Sequence, residues 1–163
     1  MNIGDIVKGL PEIENNSCDN IYSSHVLEHL SYEDMKMALS NTYNMLKMGG
    51  TFRFVIPDME YFINEYLDNK KAGNKNACNQ LMSATLMGEQ NNIRGLKNKI
   101  IDILGNSRHQ WNYDFDSMFQ ELQLVGFKNI RRAYFNDSTI TDFIEIEDLG
   151  RWGTYCLGIV CSK

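Results

Sequence analysis

The sequence predicts an α/β protein with parallel, crossover-connected strands. Three observations carry this reading: a short β-type run over 19–25, a helical stripe that starts after Ser31, and an alternating run over 51–56. A strand, a helix and a second strand in that order form one crossover unit. Such a unit forces parallel pairing, as in doubly wound sheets.

Each element has its own justification. The run 19–25 follows the turn-forming Asn15-Asn16-Ser17 and carries Ile21 and Tyr22, which suit a buried strand. Ser31 with Asp34 three residues on resembles a capping box, and Met35, Leu39, Thr42 and Leu46 then recur at helical spacing. Gly49-Gly50 is expected to stop that helix. TFRFVI at 51–56 alternates, is rich in β-formers and ends before Pro57. Over 59–71, Tyr61, Phe62, Glu65 and Tyr66 predict a further helix, ended by Lys70, Lys71 and Gly73.

The polar, Asn-rich stretch 74–112 predicts two amphipathic helices. Leu81, Met82 and Leu86 mark the first, and Ile93, Leu96, Ile100 and Leu104 the second. It is either a solvated helical insertion or a lid over a ligand. Phe115, Met118, Phe119, Leu122 and Val125 form an apolar stripe, with Gly126 where a residue just past a helix end belongs. A strand over 129–134, a mixed stretch over 137–150 and an apolar strand over 154–161 complete the chain.

Length and composition bound the function. A chain of 163 residues is one domain, burying roughly 70% of its unfolded surface. The net charge of −5 offers no basic footprint for nucleic acid. Cys18, Cys78, Cys156 and Cys161 form no CxxC pair, and the last two fall on opposite faces of a strand, so reduced thiols are expected. No apolar run is long enough to span a bilayer and MNIGDIVKGLPE has no secretory core, so a cytoplasmic protein without membrane attachment is expected.

The stretch SSHVLEHL at 23–30 carries the candidate chemistry. Read literally, His25-x-x-Glu28-His29 matches an inverted zinc-hydrolase signature, with His25 and His29 as ligands and Glu28 as the base. That pattern needs a helix through His25, whereas the preceding CDNIYSS reads as a strand. No metal is therefore expected at His25 and His29.

Four stretches taken together resemble the catalytic domain of class I S-adenosylmethionine-dependent methyltransferases, particularly those of polysaccharide and small-molecule biosynthesis. They are LP…NNSCDNIYSSHVLEHL, NMLKMGGTFRFVIPD, RHQWNYD…LQLVGFKNI and the closing apolar strand. NMLKMGG looks like that family's LKPGG turn, with Met48 in place of the usual proline. The resemblance implies a Rossmann-like sheet, mostly parallel with an antiparallel C-terminal strand. It also implies S-adenosylmethionine as cofactor and a small-molecule or sugar-like methyl acceptor.

By that resemblance, SSHVLEHL spans the carboxyl end of the family's fourth strand and the following turn. Ser23, Ser24 and His25 then line the cofactor side, since open α/β sheets bind ligands beyond their strand carboxyl ends. His25 and His109 are the candidate catalytic groups for an acceptor that must lose a proton. Both have structural alternatives, and His29 is read as a packed, hydrogen-bonded side chain. Asn2 to Ile6 resembles the end of the family's third strand, which makes Asp5 either an adenine-side group or an aspartate in a turn.

The family's first two strands and their glycine-rich loop have no counterpart ahead of Asn2. Weak or absent cofactor binding is expected for this chain alone. So is an unpaired edge at 20–24, covered by a homodimer partner, a complementing N-terminal fragment or the chain's own first residues. A remnant serving in binding or assembly is the alternative to an enzyme.

Overall fold

The computed structural model describes residues 4–88 and 109–163. Its first unit is the expected crossover: strand β1 (Cys18–Ser24), helix α1 (Tyr32–Met45) and strand β2 (Leu46–Pro57), with β1 and β2 parallel from Asn20↔Thr51 to Ser24↔Val55. Ser31 caps α1 by accepting a hydrogen bond from the Asp34 amide at 3.2 Å.

Gly49-Gly50 does not end α1. The helix stops at Met45, and Leu46 turns extended to pair with Cys18, so strand β2 begins five residues before Thr51. The register then shifts between Cys18 and Asn20, and the extra residues of β2 loop out. Gly49 takes the left-handed φ of 79° in this bulge, and at Gly50 a Cβ would lie 2.9 Å from the Lys47 carbonyl oxygen and 3.0 Å from that of Asp19. The two glycines therefore serve a strand irregularity.

Helix α2 (Met59–Lys71) spans the expected residues, and its capping residue Asp58 accepts from the Glu60 amide. Helix α3 (Ala77–Ala84) is the first of the two helices expected in 74–112. The second, with Ile93, Leu96, Ile100 and Leu104, lies outside the described residues. Helix α4 (Phe115–Val125) is closed by Gly126 at φ 114°. Strand β3 (Lys128–Ala133), helix α5 (Thr141–Ile146) and strand β4 (Cys156–Ser162) follow.

Among the described residues the sheet has four strands in the order β1-β2-β4-β3, with β4 antiparallel to both neighbours. The other three run the same way, as the fold class implies. Strand periodicity divides the side chains between two faces. Phe52, Phe54, Ile56, Leu157, Ile159 and Cys161 pack under α1 and α4, against Met35, Leu39, Met118 and Leu122. Val55, Ala133 and Trp152 pack on the other face with Cys156, so Cys156 and Cys161 do lie on opposite sides. No helix among the described residues is long and apolar enough to cross a membrane.

Segment 4–6 is not a strand of this sheet. Asp5 and Gly9 close a small turn by an isolated bridge, and Asn41 Nδ2 on α1 donates to the Ile6 and Val7 carbonyls at 2.7 and 3.0 Å. The segment is thus pinned to α1, next to β1.

Gly158 is the tightest point of the second face, where a Cβ would overlap the Trp152 ring and the Ala133 carbonyl oxygen. Gly158→Ala should destabilise the protein by about 1–3 kcal/mol through overpacking. Urea unfolding measures this, and an unchanged midpoint would contradict the packing described.

Candidate functional site

Strand β1 ends at Ser24, and the chain reverses at once. His25 adopts a left-handed φ of 52°, and its amide donates to the Val55 carbonyl at 2.9 Å, extending the β1–β2 ladder by one bond. Leu27–His29 form a single 3-10 turn. His25 and His29 are therefore not neighbours on an α-helix face, which the zinc-hydrolase signature would need.

His25 is tethered at both ring nitrogens. Nδ1 meets Glu28 Oε1 at 3.1 Å, Nε2 donates to the Arg151 carbonyl at 2.9 Å, and Cys156 Sγ lies 3.9 Å from Nε2. Hydrogen bonding to Cys156 and Glu28, with the Arg151 carbonyl, raises its pKa to about 10 against the opposing effect of burial. Its two ring nitrogens face a carboxylate and a carbonyl, both of which can only accept. His25 ties the end of β1 to the 3-10 turn and to the loop before β4.

The other sequence-derived candidates separate. Asp5 is exposed on its turn, where Lys8, then the Val7 amide, hold its carboxyl below the usual range. Ser23 and Ser24 occupy the carboxyl end of β1 as expected, and Ser24 Oγ is buried without a hydrogen-bond partner. His109 comes to the same end of the sheet from far along the chain, its ring edge-on to His29 with centroids 5.1 Å apart. Burial lowers its pKa, opposed chiefly by the nearby Glu28. Its Nδ1 is buried and unpartnered.

His25, Glu28, His29, His109, Arg151 and Tyr155 are among the walls of a cleft of about 320 Å³. Arg151 and Tyr155 went unnoticed in the sequence because nothing local ties them to the stretch 23–30. Glu28 was noticed, but for the wrong pairing. A second depression of about 230 Å³ runs beside β1 and is apolar, with Ile6, Ile13, Ile21, Val26 and Leu27 in its wall.

Residues 2–54 match the family described as a methyltransferase domain. No curated protein matches the chain in sequence. In fold the chain is similar to a SAM-dependent methyltransferase from Archaeoglobus fulgidus, at TM-score 0.53 and 17% identity, covering 98% of this chain and 66% of that one. It is also similar to the complex of the Haloferax volcanii Trm112 methyltransferase activator with a methyltransferase, at TM-score 0.51 and 15% identity, covering 98% and 59%. A third similar structure is PigF with SAH, at TM-score 0.53 and 16% identity, covering 98% and 38%.

The sheet order, the antiparallel last strand and the matched segment together define a class I S-adenosylmethionine-dependent methyltransferase fold. The chain spans less than two thirds of the length of these relatives.

The tether at His25 is testable. His25→Ala removes hydrogen bonds to a charged ring and leaves Glu28 without its partner, so a loss of about 2–3 kcal/mol is expected. Denaturant unfolding reads it directly, and a variant as stable as the parent would show that the tether carries no load.

Proposed function

We propose that this chain is the acceptor-side, C-terminal portion of an S-adenosylmethionine-dependent methyltransferase acting on a small-molecule or sugar-like acceptor. The observation that supports this best is the sheet itself: β1-β2-β4-β3 with one reversed strand, and a cleft at the carboxyl ends of β1 and β2 that sets His25, Glu28, His29 and His109 among largely apolar walls. The cleft holds histidines and a carboxylate, which suits a hydroxyl-bearing acceptor.

S-adenosylmethionine, when bound, supplies an electrophilic methyl group on a sulfonium. With that group bound, the acceptor oxygen would take the methyl carbon as the carbon–sulfur bond breaks toward sulfur, and the acceptor proton would leave to a base or to solvent. This chain contributes position above all. Ser24 Oγ, buried and unpartnered at the end of β1, is a group that a ligand could satisfy. Ser23 and His25 frame the same edge, His25 as a positioning residue. His109, with Nδ1 unpartnered, is the histidine suited to face the acceptor. Asp5 remains a candidate for the adenine side.

The chain's described part fits a cofactor only partly. By the resemblance β1 stands for the family's fourth strand, and the glycine-rich loop belongs to a neighbouring strand that is not among the described residues. Strand β1 pairs only with β2 among the described residues, and the apolar groove lies along its open side. We propose that this edge is covered in the working protein by a cofactor-binding fragment or by a second copy. A remnant that binds without catalysing would use the same edge.

The chain alone should bind S-adenosylmethionine weakly, since each missing hydrogen bond to a charged group removes about 1.5–3 kcal/mol. Adding a fragment with a strand, a glycine-rich loop and a second strand should restore binding, while light scattering tells that fragment's complex from a homodimer. Low-micromolar affinity for the chain by itself would contradict this division of labour. A fragment that docks without restoring cofactor binding would favour the non-catalytic reading.

A further inference from the structure

Glu28 is 1% exposed and its Oε1 is taken by His25, but its Oε2 is buried with no hydrogen-bond partner among the described residues. His109 Nδ1 is likewise buried and unpartnered. Leaving two polar atoms unsatisfied within one small cluster is costly, and native proteins avoid it unless something else binds there.

A third group completes the cluster. His29 Nε2 lies 3.9 Å from Glu28 Oε1, and one ligating atom each from Glu28, His29 and His109 can be chosen so that all lie within 4.8 Å of one another. Ligands about 2.1 Å from a shared zinc ion stand roughly 3.4 Å apart, so small side-chain adjustments would close the cluster onto a cation. The three come from two separate parts of the chain. The backbone brings these together where the Gln110 amide donates to the Glu28 carbonyl at 2.8 Å and Gln110 Nε2 donates to the His29 carbonyl at 2.8 Å.

We propose that Glu28, His29 and His109 form a binding site for a divalent first-row transition cation, with His25 orienting the Glu28 carboxylate from behind. Two imidazoles and a carboxylate suit zinc and its neighbours better than calcium or magnesium. A hydrogen bond that fixes a ligating carboxylate is the usual support for such a centre, and the His25–Glu28 contact supplies it. This differs from the ligand set that the His25-x-x-Glu28-His29 pattern suggests, because the third ligand is His109 and His25 is not a ligand.

Three protein ligands leave a coordination position open toward the cleft. On the methyl-transfer reading, on which this last step rests, that position takes the acceptor oxygen. A cation held by Glu28, His29 and His109 would lower the acceptor's pKa and so ease loss of its proton to solvent, the methyl carbon–sulfur bond breaking with its electrons going to sulfur as the new carbon–oxygen bond forms.

Cation binding can be read without cofactor or acceptor, so the proposal and the methyl-transfer reading fail separately. Metal-free protein is titrated with Co²⁺, followed by its visible d–d absorption, and with Zn²⁺ by calorimetry. One equivalent should bind, His109→Gln and Glu28→Gln should each weaken binding by more than about tenfold, and Cys78→Ser should leave it unchanged. Circular dichroism checks that each variant is folded, and the half-buried His109 decides the matter if Glu28→Gln does not fold. Absence of binding, binding undiminished in His109→Gln, or binding lost in Cys78→Ser at the exposed thiol would each overturn the site.

Discussion

A guanidinium buried in the middle of a sheet must have its donors met, since an unpaired charge there would cost several kcal/mol. Arg53, on the central strand β2, is 0% exposed. Its Nε donates to Glu147, Nη1 donates to Asp137 at 2.7 Å and Nη2 donates to the Tyr134 carbonyl at 2.8 Å. Its planar group lies 4.6 Å from the Trp152 ring, and the indole N–H donates to the Tyr22 hydroxyl on β1 at 3.0 Å. One side chain thus clamps the segment 134–152 onto two strands. Burial pushes the Asp137 carboxyl up, but Arg131 and Arg53 hold it below the ordinary range.

The candidate site depends on that clamp. Arg151, whose carbonyl accepts a hydrogen bond from His25 Nε2, lies between Glu147 and Trp152, which Arg53 holds in place. His25 in turn occupies one oxygen of Glu28. The route from the sheet's interior to the cleft therefore runs through Arg53, the clamped segment, His25 and Glu28, and each step is a hydrogen bond or ion pair with a defined direction. The apolar side of the molecule follows a different rule. Beside β1, Ile6, Ile13 and Ile21 form a groove that only burial against another surface would complete.

Much of this fold was legible in the sequence because its signals are local. Helical spacing marked α2 to its first and last residues, Ser31 and Asp34 marked the start of α1, and Gly126 marked the end of α4. Gly49-Gly50 misled because glycine signals a helix end and a strand bulge equally well, and only the partner strand decides. Of the two readings left open for Asp5, the described residues place it in a turn, since whether a short segment is a strand depends on an edge to pair with. The central clamp was invisible because Arg53 meets Asp137 and Glu147 across 84 and 94 residues, although an arginine inside TFRFVI was itself a sign that partners must exist. Likewise, the motif at 25–29 drew attention to Glu28, while the approach of His109 is a tertiary fact.

Hydrogen exchange on Arg53→Met tests this dependence most directly. The account predicts that amides of 134–151 and the His25 amide lose protection together, while α1 and α4, which pack on the opposite face, keep theirs. Unchanged protection of 134–151, or its loss with the His25 amide still fully protected, would contradict the claim that the buried guanidinium positions the site.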